Sequence, residues 1–387
     1  MKKFEEKREI TSDEVATALK VAVSQVERNI PDYSSQFKAC VSVNGVYPKT
    51  ENVDWTTGFW TGEIWLAYEE SGNEALKTAA LEQVDSFLHR IENKIQVEHH
   101  DMGFLFSLSC VAAYQLTGSE TGKKAGILAA EHLISRYHEK AKFIQAWGAV
   151  GEDGETRLII DCLLNVPLLY WATEVTKEQK YADIATNHIK TSLDTVIRED
   201  FSTYHTFFFD KEGKPSHGVT RQGYRDDSAW SRGQAWGIYG TALAYRSVPD
   251  PKYFDIFYGV TDYFLSHLPS NLIPYWDFTF TDGSEEPWDS SAAVIAVCGM
   301  LEMSKYLPQE KANYYTSMAK KILLAVVENC SISNDSNSNG QINMGTYARK
   351  SPFNPCNDRG LNECNTWGDF FYLEALTRLT RDWNLYW

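Results

Sequence analysis

Two kinds of apolar segment alternate along the chain. The first kind is amphipathic and covers roughly 12–29, 74–93, 121–138, 177–196, 251–268 and 309–329. In ALKTAALEQVDSFLHRI the apolar residues Leu76, Ala79, Ala80, Val84 and Leu88 recur at the three-to-four spacing of one buried helix face. Thr11-Ser12-Asp13-Glu14 has the side-chain chemistry of a helix start, and Ser71-Gly72-Asn73 and Thr117-Gly118-Ser119 are stop signals. The second kind is apolar on most sides, as expected of a helix buried all round. Each of these runs follows an acidic residue with aromatic neighbours: Asp54, Asp101, Asp161, Asp227, Asp289 and Asp369.

The intervals between those acids are too irregular for a solenoid of short repeats. Six buried helices inside six amphipathic ones instead predict an all-α fold, an (α/α)6 barrel. The inner helices should start near residues 58, 101, 163, 228, 289 and 367. Strand-like pieces at Lys142–Trp147, Ser202–Phe209 and Ile273–Phe280 fall in the connections and could wall a cleft. The polar run Ser331–Asn339 reads as a surface loop. No Pro/Gly/Ser-rich linker divides the chain, so 1–387 is expected to form a single domain.

Charge and cysteine content narrow the function classes. With 37 Lys+Arg against 52 Asp+Glu the net charge is −15, which excludes a simple nucleic-acid binder. No run of about 18 apolar residues suits a membrane span. The start MKKFEEKREITSDE has basic residues but no apolar stretch after them, so no secretory signal is expected. The 7 cysteines are odd in number, scattered and without a CxxC pair. They read as reduced thiols of a cytoplasmic protein. The aromatic load is high, at 12 Trp, 21 Tyr and 19 Phe. Aromatic rings fill cores, and they also stack on sugar C–H faces.

No GxGxxG, P-loop, HExxH or GxSxG signature is present, so no cofactor is expected and candidate chemistry rests on carboxylates and aromatics. Asp161 lies between Ile159-Ile160 and Cys162-Leu163-Leu164, where a carboxylate must pair or take a raised pKa. Pro167 fits a first helical turn and places Asp161 at the mouth of a helix. A structural N-cap is the alternative role there. Asp101 follows His99-His100, a grouping that suggests a metal. Adjacent residues do not easily face one centre, however, and further ligands at useful spacing are lacking, so no metal site is expected. Two carboxylates at like positions on inner helices suit acid–base chemistry. In AWSRGQAWG the residues Trp230, Arg232, Gln234 and Trp236 do not line one helical face, so part of the segment is expected to be non-helical or its residues to split roles. His205, Arg221, Gln222 and Arg232 supply donors in an acidic chain, which points to an anionic ligand.

The segments HHDMGF, QAWG, IIDCLLNVPLLYWA, RQGYRDDSAWSRGQAWG and WGDFFYLEALTRL resemble the unsaturated glucuronyl hydrolases, glycoside hydrolase family 88, in the family's order over roughly residues 35–385. The resemblance implies an (α/α)6 barrel, no metal, and a cytoplasmic role downstream of polysaccharide lyases. It implies a small anionic substrate, an oligosaccharide ending in 4,5-unsaturated glucuronic acid. It places the general acid/base on Asp161 and a second essential carboxylate on Asp101. It places substrate contacts on Trp60, Trp147, His205, Gln222, Trp230, Arg232 and Trp236. Streptococcal members carry a sulfate-binding loop with serines and a lysine near the C-terminus. The stretch Gly345–Ser351 is basic without that serine pattern, and Arg221, His205, Arg349 and Lys350 are expected to surround a uronate carboxylate or an attached sulfate. An unsaturated rhamnogalacturonyl hydrolase, an inverting glycosidase and a non-catalytic carbohydrate-binding protein are the alternatives.

Overall fold

The computed structural model describes residues 4–152 and 154–387; residues 1–3, where the N-terminal stretch read above begins, and residue 153 lie outside it. The outer helices are α1 (Ser12–Tyr33), α3 (Glu74–Glu92), α6 (Glu120–Ile134), α9 (Lys180–Val196), α11 (Lys252–His267) and α13 (Gln309–Asn329). The inner positions hold α2 (Thr57–Ser71), α4 (Met102–Phe106), α7 (Cys162–Asn165) with α8 (Pro167–Thr176), α10 (Ser231–Ser247), α12 (Ser290–Ser304) and α14 (Thr366–Thr380). A π-helical stretch, Ser107–Val111, carries α4 on into α5 (Ala112–Thr117). Each inner helix packs on the next, and α14 returns to α2 and α1, so the ring closes as an (α/α)6 barrel.

Burial explains the two kinds of segment. Every residue of α12 from Ser290 to Met303 is buried, whereas α3 buries one stripe that includes Leu76, Ala80, Val84 and Phe87. The inner helices approach closely through small residues. A Cβ on Gly103 would stand 2.3 Å from Asn165 Cα, and one on Gly58 would stand 2.1 Å from Phe104 O. Near the far end of the barrel Trp387 lies parallel to Phe371 at 5.9 Å and donates to Glu374.

The connections are less regular than the sequence suggests. The piece expected at Lys142–Trp147 is only the two-residue β4 (Phe143–Ile144), paired with β3 (Tyr137–His138). Ile273–Phe280 forms no strand; it makes isolated bridges, Tyr275 with Trp288 and Asp277 with Trp230, and Pro274 has no N–H to give a ladder. Ser202–Phe209 does contain a strand, β6 (Thr206–Phe209), the centre of an antiparallel sheet with β5 (Arg157–Ile159) and β7 (Pro215–Val219). This sheet stands over one end of the barrel, because β5 runs directly into Asp161 and His205 immediately precedes β6.

Candidate active site

A cavity of about 430 Å³ opens at the end of the barrel where the inner helices begin. Asp101 and Asp161 are the N-caps of α4 and α7, and neither side chain caps its helix. The capping role weighed for Asp161 is therefore not the one its side chain takes; it faces the cavity. Asn165 holds the two helix starts together. Its amide NH2 donates to Asp101 Oδ1 (3.4 Å) and to the Asp161 carbonyl (3.3 Å), while its Oδ1 accepts from Phe104 N (2.8 Å).

His100 sits between the carboxylates, with Nε2 at 3.3 Å from Asp161 Oδ1 and 3.5 Å from Asp101 Oδ1. Its ring is only 1% exposed. Neither of its ring nitrogens, nor Asp161 Oδ1, has a well-aligned hydrogen bond among the described residues. One ligand atom from each of His100, Asp101 and Asp161 falls within 4.8 Å of the others, a spacing that could also hold a cation. The expectation that adjacent residues would not face one centre therefore fails for His100 and Asp101. Helix α4 starts only at Met102, and the His100 N–H is tied to the Ala146 carbonyl (2.9 Å), which leaves this dipeptide free of helical geometry.

The two carboxyls titrate in opposite directions. Burial raises the pKa of Asp161, and His100 only partly offsets it. Burial also acts to raise Asp101, but His100, His99 and Asn165 outweigh it and the net shift is downward. Burial lowers His100, yet the two carboxylates prevail and raise it. At neutral pH the cluster thus pairs an ionised Asp101 with an Asp161 that holds its proton more tightly than usual.

Aromatic and donor groups line the walls. His205 Nδ1 accepts from the N–H groups of Arg221 (2.9 Å) and Gln222 (3.1 Å), so the proton of the neutral ring resides on Nε2. Burial, with Arg232 and Arg221 nearby, brings its pKa down to about 3, and the ring packs on Trp230 at 4.3 Å. Arg232 donates to Asp289 and to the carbonyls of Thr346 (2.6 Å) and Tyr347 (2.7 Å). Trp230 is extended and bridges to Asp277, and α10 begins one residue later. Trp230, Arg232 and Trp236 reach the cavity, while Gln234 turns away to the carbonyls of Phe201 and Val260.

Nine residues singled out from sequence thus line one cavity: Asp101, Trp147, Asp161, His205, Arg221, Gln222, Trp230, Arg232 and Trp236. Three do not. Trp60 is fully buried on the other side of α2, where its Nε1 donates to Tyr33 O (3.0 Å) and the Lys38 ammonium lies 4.1 Å over its ring. Arg349 pairs with Glu286 (3.0 Å) and Asp358 (2.9 Å), and Lys350 projects from the same loop outside the cavity. The cavity also contains Asp54, Trp55, Gln96, His99, His100 and Tyr347, which were not among the expected contacts. Trp55 stacks on Trp367 at 5.4 Å. The doubled histidine before Asp101 and the tyrosine inside the basic loop were the available signals.

Residues 31–377 match the Glycosyl Hydrolase Family 88. The chain is 46% identical over 383 residues to an unsaturated chondroitin disaccharide hydrolase of Streptococcus pneumoniae, covering 98% of this chain and 95% of that protein. The crystal structure of an unsaturated glucuronyl hydrolase from Streptococcus agalactiae superimposes with a TM-score of 0.95 at 45% identity, covering 100% of this chain and 96% of the other. A variant of the S. agalactiae enzyme complexed with dGlcA-GalNAc6S gives a TM-score of 0.87 at 42% identity, with the same coverage.

Proposed function

The chain belongs to glycoside hydrolase family 88, and from that premise we propose that it removes 4,5-unsaturated glucuronic acid from the non-reducing end of lyase-generated oligosaccharides such as glycosaminoglycan disaccharides. The observation that carries this reading is the convergence of Asp161 and Asp101 on His100 at the floor of an aromatic cavity.

The substrate's C4=C5 bond is an enol ether. Asp161, whose hold on its proton burial strengthens, gives that proton to C4, and an oxocarbenium-like centre develops at C5. Water adds at C5 and returns a proton to the Asp161 carboxylate. The resulting hemiketal opens to the 5-ketone, and the hemiacetal left at C1 expels the neighbouring sugar. One water is consumed, and the acid is restored without a glycosyl-enzyme intermediate. Asp101, ionised, accepts from substrate hydroxyls. Its charge, with that of His100, sets how tightly Asp161 holds its proton. Neutral His205 donates from Nε2, and Trp147 and Trp230 offer flat faces to the sugar rings.

We assign the enzyme to the cytoplasm, a reading supported by its 7 free cysteines. The test follows loss of the conjugated uronate absorbance on unsaturated chondroitin, hyaluronan and rhamnogalacturonan disaccharides. Consumption of the glucuronyl substrates is expected. Binding without consumption, or cleavage of saturated glycans with no absorbance change, would overturn the reaction.

A further inference from the structure

Outside the cavity, α3 ends on a buried charge. Arg90 stands in the last turn of that helix and is 1% exposed. Its guanidinium donates to six oxygens, none of them a carboxylate: the carbonyls of Ile95 (3.1 Å), Val53 (3.2 Å), Asp54 (2.9 Å) and Gln96 (2.7 Å), with Asn52 Oδ1 (3.0 Å) and Thr57 Oγ1 (3.1 Å). Burial brings its pKa down to about 10, so it is still a cation at neutral pH. A well-packed apolar side chain would fill a buried place at least as favourably, so packing alone does not account for a guanidinium there. What Arg90 holds are two loops at one wall of the cavity, the first carrying Val53, Asp54 and Trp55 and the second carrying Gln96 and His99. Gln96 has a φ of 47°, a left-handed conformation that a glutamine keeps only when its surroundings fix it. Its carbonyl also accepts from His99 Nε2 (3.0 Å). The other ring nitrogen, His99 Nδ1, lies 3.0 Å from Asp101 Oδ2 and 3.1 Å from the Asp101 backbone nitrogen.

We propose that Arg90 is a positioning residue for the reaction: it fixes the Gln96 carbonyl that orients His99 against Asp101, and with the same fork it fixes the loop that brings Trp55 to the cavity. The proposal rests on the reaction proposed above and adds to it the group that holds one wall of the site in place. With Nε2–H committed to Gln96, only Nδ1 of His99 is left to face Asp101, so the ring has one orientation. A planar guanidinium has five N–H donors in a rigid fork, and a lysine has three on one atom, so only arginine spans both loops. The device recurs. Arg136, two residues past the end of α6, donates to the carbonyls of Gln145 (2.9 Å) and Gly148 (2.9 Å), on either side of Trp147. Arg198, two residues past the end of α9, donates to the carbonyls of Thr203 (3.1 Å), Asp226 (2.6 Å) and Ser228 (3.0 Å), just ahead of His205 and Trp230. Three outer helices thus end on an arginine that ties down backbone next to cavity residues, and Arg90 is the one whose hold reaches a catalytic carboxylate.

The experiment measures steady-state kinetics and calorimetric affinity on an unsaturated chondroitin disaccharide, with folding checked by circular dichroism. The proteins compared are wild type, Arg90→Lys, His99→Gln, these two combined, and Thr57→Val, which removes one of the six oxygens and keeps the side-chain shape. Arg90→Lys keeps the charge and loses the fork. It should lower kcat/KM about tenfold, mainly through KM, because Asp101 and Trp55 lie on the side that Arg90 holds whereas the donor Asp161 begins α7. Since Arg90 acts through His99, the combined variant should lose several-fold less than the product of the two single losses. Thr57→Val should show the same bias toward KM at a smaller size, and it decides the matter if Arg90→Lys does not fold. Single losses that multiply, a fall in kcat with KM and affinity unchanged, or wild-type constants in the folded variants overturn the positioning role. A wild type that consumes no unsaturated disaccharide overturns the reaction. The positioning role is then decided by the same variants' affinities, which weaken if Arg90 holds this wall and stay at the wild-type value if it does not.

Discussion

Asp101 and Asp161 share one side-chain chemistry and are both buried, and burial alone would raise both pKa values. Their partners separate them. Asp101 has His99, His100 and Asn165 around its oxygens, whereas among the described residues the close side-chain partner of Asp161 is His100, at 3.3 Å. Asp161→Asn should therefore lower kcat on the order of 10²–10⁴, with disaccharide binding largely retained. Turnover above about a tenth of wild type in a variant shown folded by circular dichroism would remove Asp161 from the donor role. The same residue carries a stability cost. Its folded pKa lies above the unfolded value, so its contribution is present below the unfolded pKa and is lost as pH rises through the folded pKa. Thermal melts should then show Asp161→Asn at least as stable as wild type at neutral pH, with the two converging in acid. A variant clearly less stable at neutral pH would contradict this sign. The pH profile of kcat should be a bell, with Asp101 on its acid limb and Asp161 on its basic limb. His100 lowers the pKa of both carboxyls, so His100→Gln should move both limbs to higher pH. Limbs that stay in place would show that His100 does not set the proton inventory.

At the scale of elements, acid–base geometry depends on how tightly α4 and α7 meet. Gly103 faces the Asn165 backbone, and Asn165 joins the two caps. Gly103→Ala should push the helices apart, at a cost of about 1–3 kcal/mol. Activity should fall further than stability alone accounts for, because Asp101 and Asp161 separate. Equilibrium denaturation beside kinetics on the folded fraction checks this, and full specific activity would contradict it. The helices themselves were legible from residue periodicity: the outer segment read as 309–329 is α13, Gln309–Asn329, and the inner starts fall within about three residues of expectation. Of the three-stranded sheet only β6 was legible; β5 and β7 were not, because they are stabilised by pairing with β6 rather than by their own apolar pattern.

Across the whole molecule, the barrel brings together residues from the starts of several inner helices and from the loops between them. Three of the six recurring acids, Asp54, Asp101 and Asp161, reach the cavity. Asp289 instead neutralises Arg232, Asp369 accepts from Tyr47 (2.9 Å), and Asp227 pairs with Arg225 at the surface. The cluster of His100, Asp101 and Asp161 is read as a proton-sharing group, so treatment with EDTA should leave turnover intact. Loss of activity restored by a divalent cation would make the cluster a metal site instead. The sequence by itself determined the order and buried faces of the six outer and six inner helical positions, because burial on one face or all round leaves a local periodic signature. It also marked Asp161, through the apolar residues around it. Only the tertiary structure decided that His100 stands between two carboxylates, that Trp60 turns from the cavity toward α1, and that Arg349 is held by Glu286 and Asp358. Each of these depends on which residues distant in the chain become neighbours, and a side chain's charge and orientation answer to those neighbours rather than to its place in the sequence.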